Sequence, residues 1–270
     1  MVNKHIILVG CGNMGLALLK GWLAGGISPS LITVISPNNW HSLQKMFDIN
    51  ALPEIKDSAI NQNLDYTIVF AIKPQIAEQI IPLYKFLTQN KNNLFISIIT
   101  GKTLSFFTTH LTKECKVVRA MPNLAAIVSA STTVLHGNNN LSDLHKHNSS
   151  YLFNMIGKTW WIDNEYQLDT ITALSGSGIA YFFSMVNYLA EAACSIGLDA
   201  KLSNELAINT INSSAQLLVQ GTNSPSTLIN QVCSPGGTTE AALETLNPGL
   251  KELIYKTLYA ATNRSRQLSE

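Results

Sequence analysis

The feature that most limits what this chain can fold into lies within residues 5–15, HIILVGCGNMG. An apolar run leads straight into Gly10, Gly12 and Gly15 at G-x-G-x-x-G spacing, and the LALLKGWLA that follows has a helical pattern. Strand, glycine turn and helix in that order open a βαβ unit that holds a pyrophosphate. Gly10 allows the tight turn, Gly12 lets the backbone approach the anion, Gly15 lets helix and strand pack closely, and the helix N-terminus offers free N–H groups. A dinucleotide is the expected ligand. Cys11 lies inside this fingerprint, so its oxidation is expected to block cofactor binding.

The stretch up to about Asp163 extends the same pattern. Apolar runs at 5–10, 31–36, 66–72, 94–99, 116–121, 131–137 and 158–163 alternate with helical patterns near 14–25, 39–47, 75–89, 103–111 and 141–156. Their Val/Ile content without strict alternation predicts strands covered on both faces, hence a doubly wound, mostly parallel Rossmann-type sheet. Beyond Asp163 the strand pattern stops and nearly everything reads helical, including 178–196 and 249–268. The helix at 178–196 is apolar nearly all round, with Glu191 its only charge, which predicts burial inside its own domain or between subunits. The expected organisation is an α/β dinucleotide-binding domain at 1–163 and an all-helical substrate domain at 164–270.

Eighteen Lys and Arg against seventeen Asp and Glu give a net charge of +1, with no basic stripe or acidic tail to attract nucleic acid or anionic lipid. A small-molecule substrate is expected. No apolar run is long enough for a signal segment or a membrane span, so the expected location is the cytoplasm. Only 13% of residues are charged, and so light a surface points to a partner chain covering part of it. The four cysteines are widely spaced without a metal-ligand pattern, so reduced thiols and no metal site are expected.

The end of the second strand carries Ser36, then Pro37, Asn38, Asn39, Trp40 and His41. An NAD-preferring site usually places a carboxylate there for the ribose 2′-OH. With a neutral position instead, a 2′-phosphate is accepted by the Ser36 hydroxyl and nearby amides, so NADP(H) is the expected preference and NAD(H) remains usable. In FAIKPQ, Ala71 and Lys73 stand at the C-terminal sheet edge; Lys73 either approaches cofactor ribose or phosphate or simply faces solvent.

The second half lacks the usual proton donors. None of the six histidines lies beyond residue 147, and no lysine occurs between Lys158 and Lys201. Ketone reduction needs an acid for the developing alkoxide. A protonated imine does not, because its carbon is already electrophilic and no oxyanion forms. Such a site has only to orient the C=N, shield it and hold the substrate's anion. SPGGTTEAALETL at 234–246 offers that anion site: Gly236 and Gly237 free the backbone, the N–H groups of Thr238 and Thr239 open a helix, and a threonine hydroxyl can bond the imine nitrogen. The alternative reading of the same residues is a helix capped by Ser234 or Thr238 after a Pro-Gly turn.

Five stretches in order, VGCGNMGLALLKG, AIKPQ, RAMPN, TALSGSGIAYFF and QVCSPGGTTEAALETL, resemble the pyrroline-5-carboxylate reductase family. The resemblance implies a Rossmann-type domain, a helical domain that dimerises by interlocking so that each substrate site is completed by the partner subunit, and hydride delivery from NAD(P)H, usually NADPH, to the ring C=N of pyrroline-5-carboxylate. It implies that Ser234, Gly236, Gly237, Thr238 and Thr239 bind substrate, with the Thr239 hydroxyl facing the imine nitrogen as the catalytic group. The loop Gly10, Gly12, Asn13, Met14, Gly15 would hold the cofactor, with Ser36 at the 2′-phosphate, Ala71, Lys73 and Pro74 at its middle, and Met121, Pro122 and Asn123 near the nicotinamide. Leu124, Ala125 and Ile179 stand where the family usually shows Thr, Pro and Pro. A hydroxyacid dehydrogenase would need the missing lysine or histidine. A reductase of another cyclic imine carboxylate and a non-catalytic NADP(H)-binding regulator are the remaining alternatives.

Overall fold

The apolar runs pair side by side. The computed structural model describes residues 5–56, 60, 61 and 63–268, and its strands are β1 (His5–Val9), β2 (Ile32–Ile35), β3 (Asn50–Leu52), β4 (Tyr66–Phe70), β5 (Leu94–Ser97), β6 (Lys116–Met121), β7 (Ser131–Gly137) and β8 (Gly157–Trp161). They form one eight-stranded sheet in the order β3-β2-β1-β4-β5-β6-β7-β8. Every pairing is parallel except β6 with β7, where Val118 faces Gly137 and Met121 faces Val134. The antiparallel pair follows from its connection, because residues 122–130 are too few for a parallel crossover through a helix. The short β3 has too little apolar length to stand out in the sequence.

Helices α1 (Asn13–Ala24), α2 (Trp40–Phe47), α3 (Ala77–Ile80), α4 (Leu104–His110), α5 (Asp143–Asn154) and α6 (Gln167–Ile171) connect or follow the strands. Strand residues sort by parity. Ile6, Leu8, Val69, Ile96 and Val118 join Leu18, Trp22 and Phe153 in one core, whereas Ile7, Val9, Ile68, Phe70 and Phe95 join Tyr84 and Phe107 in another. The period of two sends neighbours to opposite faces, and burying each such side chain contributes about 1.5–3 kcal/mol. The helix expected over 75–89 is instead a 3-10 turn at Pro74–Ile76, the single turn of α3, and further 3-10 turns over Ile81–Gln89. Pro82 lacks the N–H that a continuous α-helix would use there.

Helices α7 (Gly178–Ser195), α8 (Ala200–Gln220), α9 (Pro225–Val232) and α10 (Thr238–Gln267) complete the chain. It divides into two compact units: one runs to Gly176 and regains the chain from Ala261 onward, the other is Ser177–Ala260. In the first unit, Ser265 Oγ donates to Asp169 Oδ1 at 2.7 Å, and a Cβ on Gly101 would lie 2.4 Å from the Leu268 carbonyl oxygen. In the second, α7 packs along α8 through a connection turned by Gly197 at φ +116° and capped by Asp199, which accepts from the N–H groups of Lys201 and Leu202. The expected burial of α7 is not met within the chain: Phe182 and Phe183 are 57% and 61% exposed. Helix α10 begins eleven residues ahead of the expected 249 and runs through Pro248. Among the described residues no helix is long and apolar enough to cross a membrane.

Candidate active site

Strand order reverses at β1, whose neighbours are β2 and β4, and ligands of open α/β sheets bind beyond the strand ends at such a point. The fingerprint glycines lie there. Gly10 turns at φ +90°, its N–H donates to the Ile35 carbonyl at 2.8 Å, and the Ala71 N–H donates to the Val9 carbonyl at 2.7 Å. The crowding is between backbones: a Cβ on Gly10 would come within 2.6 Å of the Ala71 oxygen, and one on Gly15 within 2.4 Å of the Gly10 oxygen. Nothing lies within 4 Å of a Cβ on Gly12, the exposed N-cap of α1, which has no side-chain cap. A pyrophosphate fits that opening, and a side chain there would fill it. Asn13 is exposed and Met14 half-buried in the first turn. Lys73 and Pro74 follow β4 at the same edge, Lys73 exposed at the cap of the 3-10 turn.

The surroundings of Cys11 weigh against the expected sensitivity to oxidation. The residue is buried, and burial pushes its thiol up from 9.0 to about 11, so the reactive thiolate is scarce at neutral pH.

Ser36 is buried at the end of β2 and donates its hydroxyl to Asn39 Oδ1 at 2.5 Å. Asn39 Nδ2 donates in turn to the Cys11 carbonyl at 3.3 Å, tying the second strand's exit to the glycine loop. In the sequence Asn39 is one of several neutral amides after Ser36. Its place in the bridge depends on two loops meeting, which no spacing announces.

At the far end of the edge, Met121 packs with Val134 and Leu168. Asn123 caps the 3-10 helix Leu124–Val128 by accepting the Ala125 N–H at 3.2 Å, and Ser129 closes that helix at φ +55°. The turn carrying Leu124 and Ala125 is therefore held without the family's usual Thr and Pro. Arg119, two residues before Met121 and 6% exposed, pairs with Glu165 at 2.7 Å, and Glu165 also accepts the Leu104 N–H at 2.7 Å. Nothing in RAMPN announces this pair, because its partner stands 46 residues further along the chain.

The second cluster, Ser234 to Thr239, lies in the other unit. Gly236 has φ +70°, and nothing within its unit comes within 4 Å of where a Cβ would stand. The Gly237 N–H donates to the Ser234 carbonyl at 2.9 Å, and the Gly236 N–H donates to Glu240 Oε2 at 2.7 Å. The chain's own carboxylate thus already sits on this turn, reaching back from the first turn of α10, an arrangement that the glycine and threonine spacing does not announce. The first N–H groups of α10, on Thr238 and Thr239, have no intrahelical carbonyl to use and are open to an anion. Ile179 lies in the first turn of α7, where proline's fixed φ helps without being required.

Comparison with known proteins bears on both units. Residues 165–268 match the family described as pyrroline-5-carboxylate reductase dimerisation, and residues 5–101 the family described as NADP oxidoreductase coenzyme F420-dependent. The chain is similar to the pyrroline-5-carboxylate reductase of Mycobacterium tuberculosis, 32% identical over 98% of this chain and 96% of that one. It is similar to the one from Escherichia coli K12, 30% identical over the whole of both chains. Among solved structures, the pyrroline-5-carboxylate reductase of Coxiella burnetii superposes with a TM-score of 0.91 at 32% identity, covering 99% of each chain. The pyrroline carboxylate reductase of Plasmodium falciparum, with NADP bound, gives 0.87 at 26% identity over all of both.

Proposed function

This chain belongs to the pyrroline-5-carboxylate reductase family, and we propose that it performs that family's reaction from two backbone cradles, one for the dinucleotide and one for the substrate carboxylate. The enzyme is an oxidoreductase acting on a C=N bond, converting 1-pyrroline-5-carboxylate to L-proline in the last step of proline biosynthesis. When bound, the nicotinamide cofactor supplies the hydride that adds to the ring carbon of the C=N.

The chain's own residues bind and orient. Gly10, Gly12, Asn13, Met14 and Gly15 hold the pyrophosphate at the mouth of α1, while Ala71, Lys73 and Pro74 border the middle of the dinucleotide. Ser36 receives a 2′-phosphate when its hydroxyl turns from Asn39 Oδ1 to the anion; the absence of a carboxylate at Ser36 supports NADPH over NADH. Met121 and Pro122 border the nicotinamide. Ser234, Gly236 and Gly237 shape the substrate turn, and the N–H groups of Thr238 and Thr239 take the carboxylate. The Thr239 hydroxyl bonds the imine nitrogen and steadies the C=N. No protein acid is required for hydride addition, because the protonated imine nitrogen already carries its proton and stays in the ring as the secondary amine of proline.

The exposed apolar surface of α7 and the dimerisation-family match support a homodimer, or a larger assembly of dimers, in which the partner subunit completes each substrate site. The net charge of +1 and the lack of a membrane-crossing helix among the described residues support a cytoplasmic enzyme. The observation that carries the site assignment is the SPGGTT turn, with Gly236 at φ +70° and the helix-opening N–H groups of Thr238 and Thr239 behind it. The test is loss of reduced-nicotinamide absorbance on adding racemic pyrroline-5-carboxylate, with stoichiometric proline. Oxidation without proline would overturn the reading.

A further inference from the structure

We propose that Asn123 is a positioning residue for hydride transfer, acting through the backbone of Ser175 and not by touching the dinucleotide; the proposal rests on the reductase reading above. Asn123 is 7% exposed, and each end of its side chain is engaged inside the first unit. Its Oδ1 accepts the Ala125 N–H at 3.2 Å, and its Nδ2 donates to the Ser175 carbonyl at 3.2 Å. Its backbone N–H donates to Ser131 Oγ at 3.1 Å, and that hydroxyl in turn shares a hydrogen bond with Thr133 at 3.1 Å. Both ends of the side chain are thereby fixed in orientation by the protein itself.

What it holds is informative. Ser175 lies in a π-helical turn, Thr172–Gly176, immediately before the second unit begins at Ser177. A π turn widens the helix and disturbs the regular ladder, and such turns concentrate at functional places. Here two hydroxyls fold back onto the preceding carbonyls, Thr172 onto Leu168 at 2.7 Å and Ser175 onto Ile171 at 3.0 Å. Asn123 supplies a donor to the turn from outside. The 3-10 helix it caps packs against α1, the helix that opens at the pyrophosphate cradle. One amide therefore joins the end of β6, the cofactor helix and the π turn at Thr172–Gly176. A slip there shifts the nicotinamide end, and hydride transfer is steeply sensitive to misplacement on the order of 1 Å.

Two variants test this once wild-type turnover of pyrroline-5-carboxylate is established, so that failure of the reductase reading shows in the wild type alone. Asn123→Asp keeps the cap on Ala125 but sets a carboxylate against the Ser175 carbonyl. Asn123→Ser keeps a hydroxyl for the cap and is too short to reach Ser175. The expected result is an NADPH Kd, from quenching of protein fluorescence, within about twofold of wild type, with kcat lowered about tenfold or more. The primary isotope effect with NADPH deuterated at the transferring carbon should rise, as the chemical step becomes limiting. A lower Tm with unchanged kcat and isotope effect overturns the proposal. So does an NADPH Kd that weakens in step with kcat/KM, since that marks a direct cofactor ligand. If Asn123→Asp does not fold, Asn123→Ser decides by the same readings.

Discussion

The carboxylate of Glu240 accepts the backbone N–H of Gly236 at 2.7 Å, so the turn assigned to the substrate carboxylate is closed from within by an acid of its own helix. This bond pins Gly236 at a positive φ and leaves the substrate the N–H groups of Thr238 and Thr239. Glu240→Ala should raise the KM for pyrroline-5-carboxylate about threefold to tenfold, the effect of one exposed charge-assisted bond. The KM for NADPH should not move, and Glu240→Gln should recover part of the loss. Steady-state kinetics decides it; a KM that falls would make Glu240 a competitor of the substrate instead.

Thr239→Ala removes a hydroxyl without disturbing the backbone of α10. Turnover should drop about tenfold to a hundredfold while NADPH affinity by fluorescence titration stays at the wild-type value. Unchanged kcat would take Thr239 out of the chemistry.

The fingerprint glycines should separate stability from binding. Gly15→Ala drives a Cβ against the Gly10 carbonyl, 2.4 Å away on fixed backbone, and should lower the Tm as well as cofactor affinity. Gly12→Val meets no protein atom near its Cβ and should fold with a near-normal Tm, yet lose NADPH affinity about tenfold or more because the side chain stands where the pyrophosphate approaches. Calorimetry paired with titration reads both.

Alkaline pH should destabilise the first unit. Burial raises Cys11 from 9.0 to about 11 and also raises Tyr84 and Tyr66, with the Asn61 backbone bond partly opposing the shift at Tyr66. The folded state therefore holds these protons more tightly than the unfolded chain. Their contribution is fully present below about pH 9 and is lost as pH climbs toward 11 and beyond. Urea midpoints between pH 8 and 11 should fall, and Cys11→Ser should flatten the early part of the fall. Alkylation of Cys11 in the native protein should be slow at pH 7 and accelerate with pH, while peroxide should leave NADPH affinity intact.

A charge on α7 should break the assembly. Phe183→Asp places a carboxylate on an apolar surface that another copy is expected to cover, so sedimentation should show a smaller species, with activity lost beyond what a local defect in α7 explains. Persistence of the full-size assembly would move the interface elsewhere.

The strand run at 5–10, the G-x-G-x-x-G spacing and the SPGGTT turn were legible in the sequence because each is local: a few consecutive residues carry the period, the positive φ or the helix start. The missing lysine and histidine were legible for the same reason, as composition of one segment. The tertiary structure alone decided that β7 runs antiparallel, that Asn39 bridges Ser36 to the glycine loop, and that Asn123 reaches Ser175. It also decided that Glu165 serves both Arg119 and the start of α4. Asn123 and Ser175 are separated by 52 residues of chain and Arg119 and Glu165 by 46, and a hydrogen bond between such distant positions leaves no periodic trace in either segment. Propensity and spacing set which elements form; packing of the sheet's two faces sets which of their side chains meet.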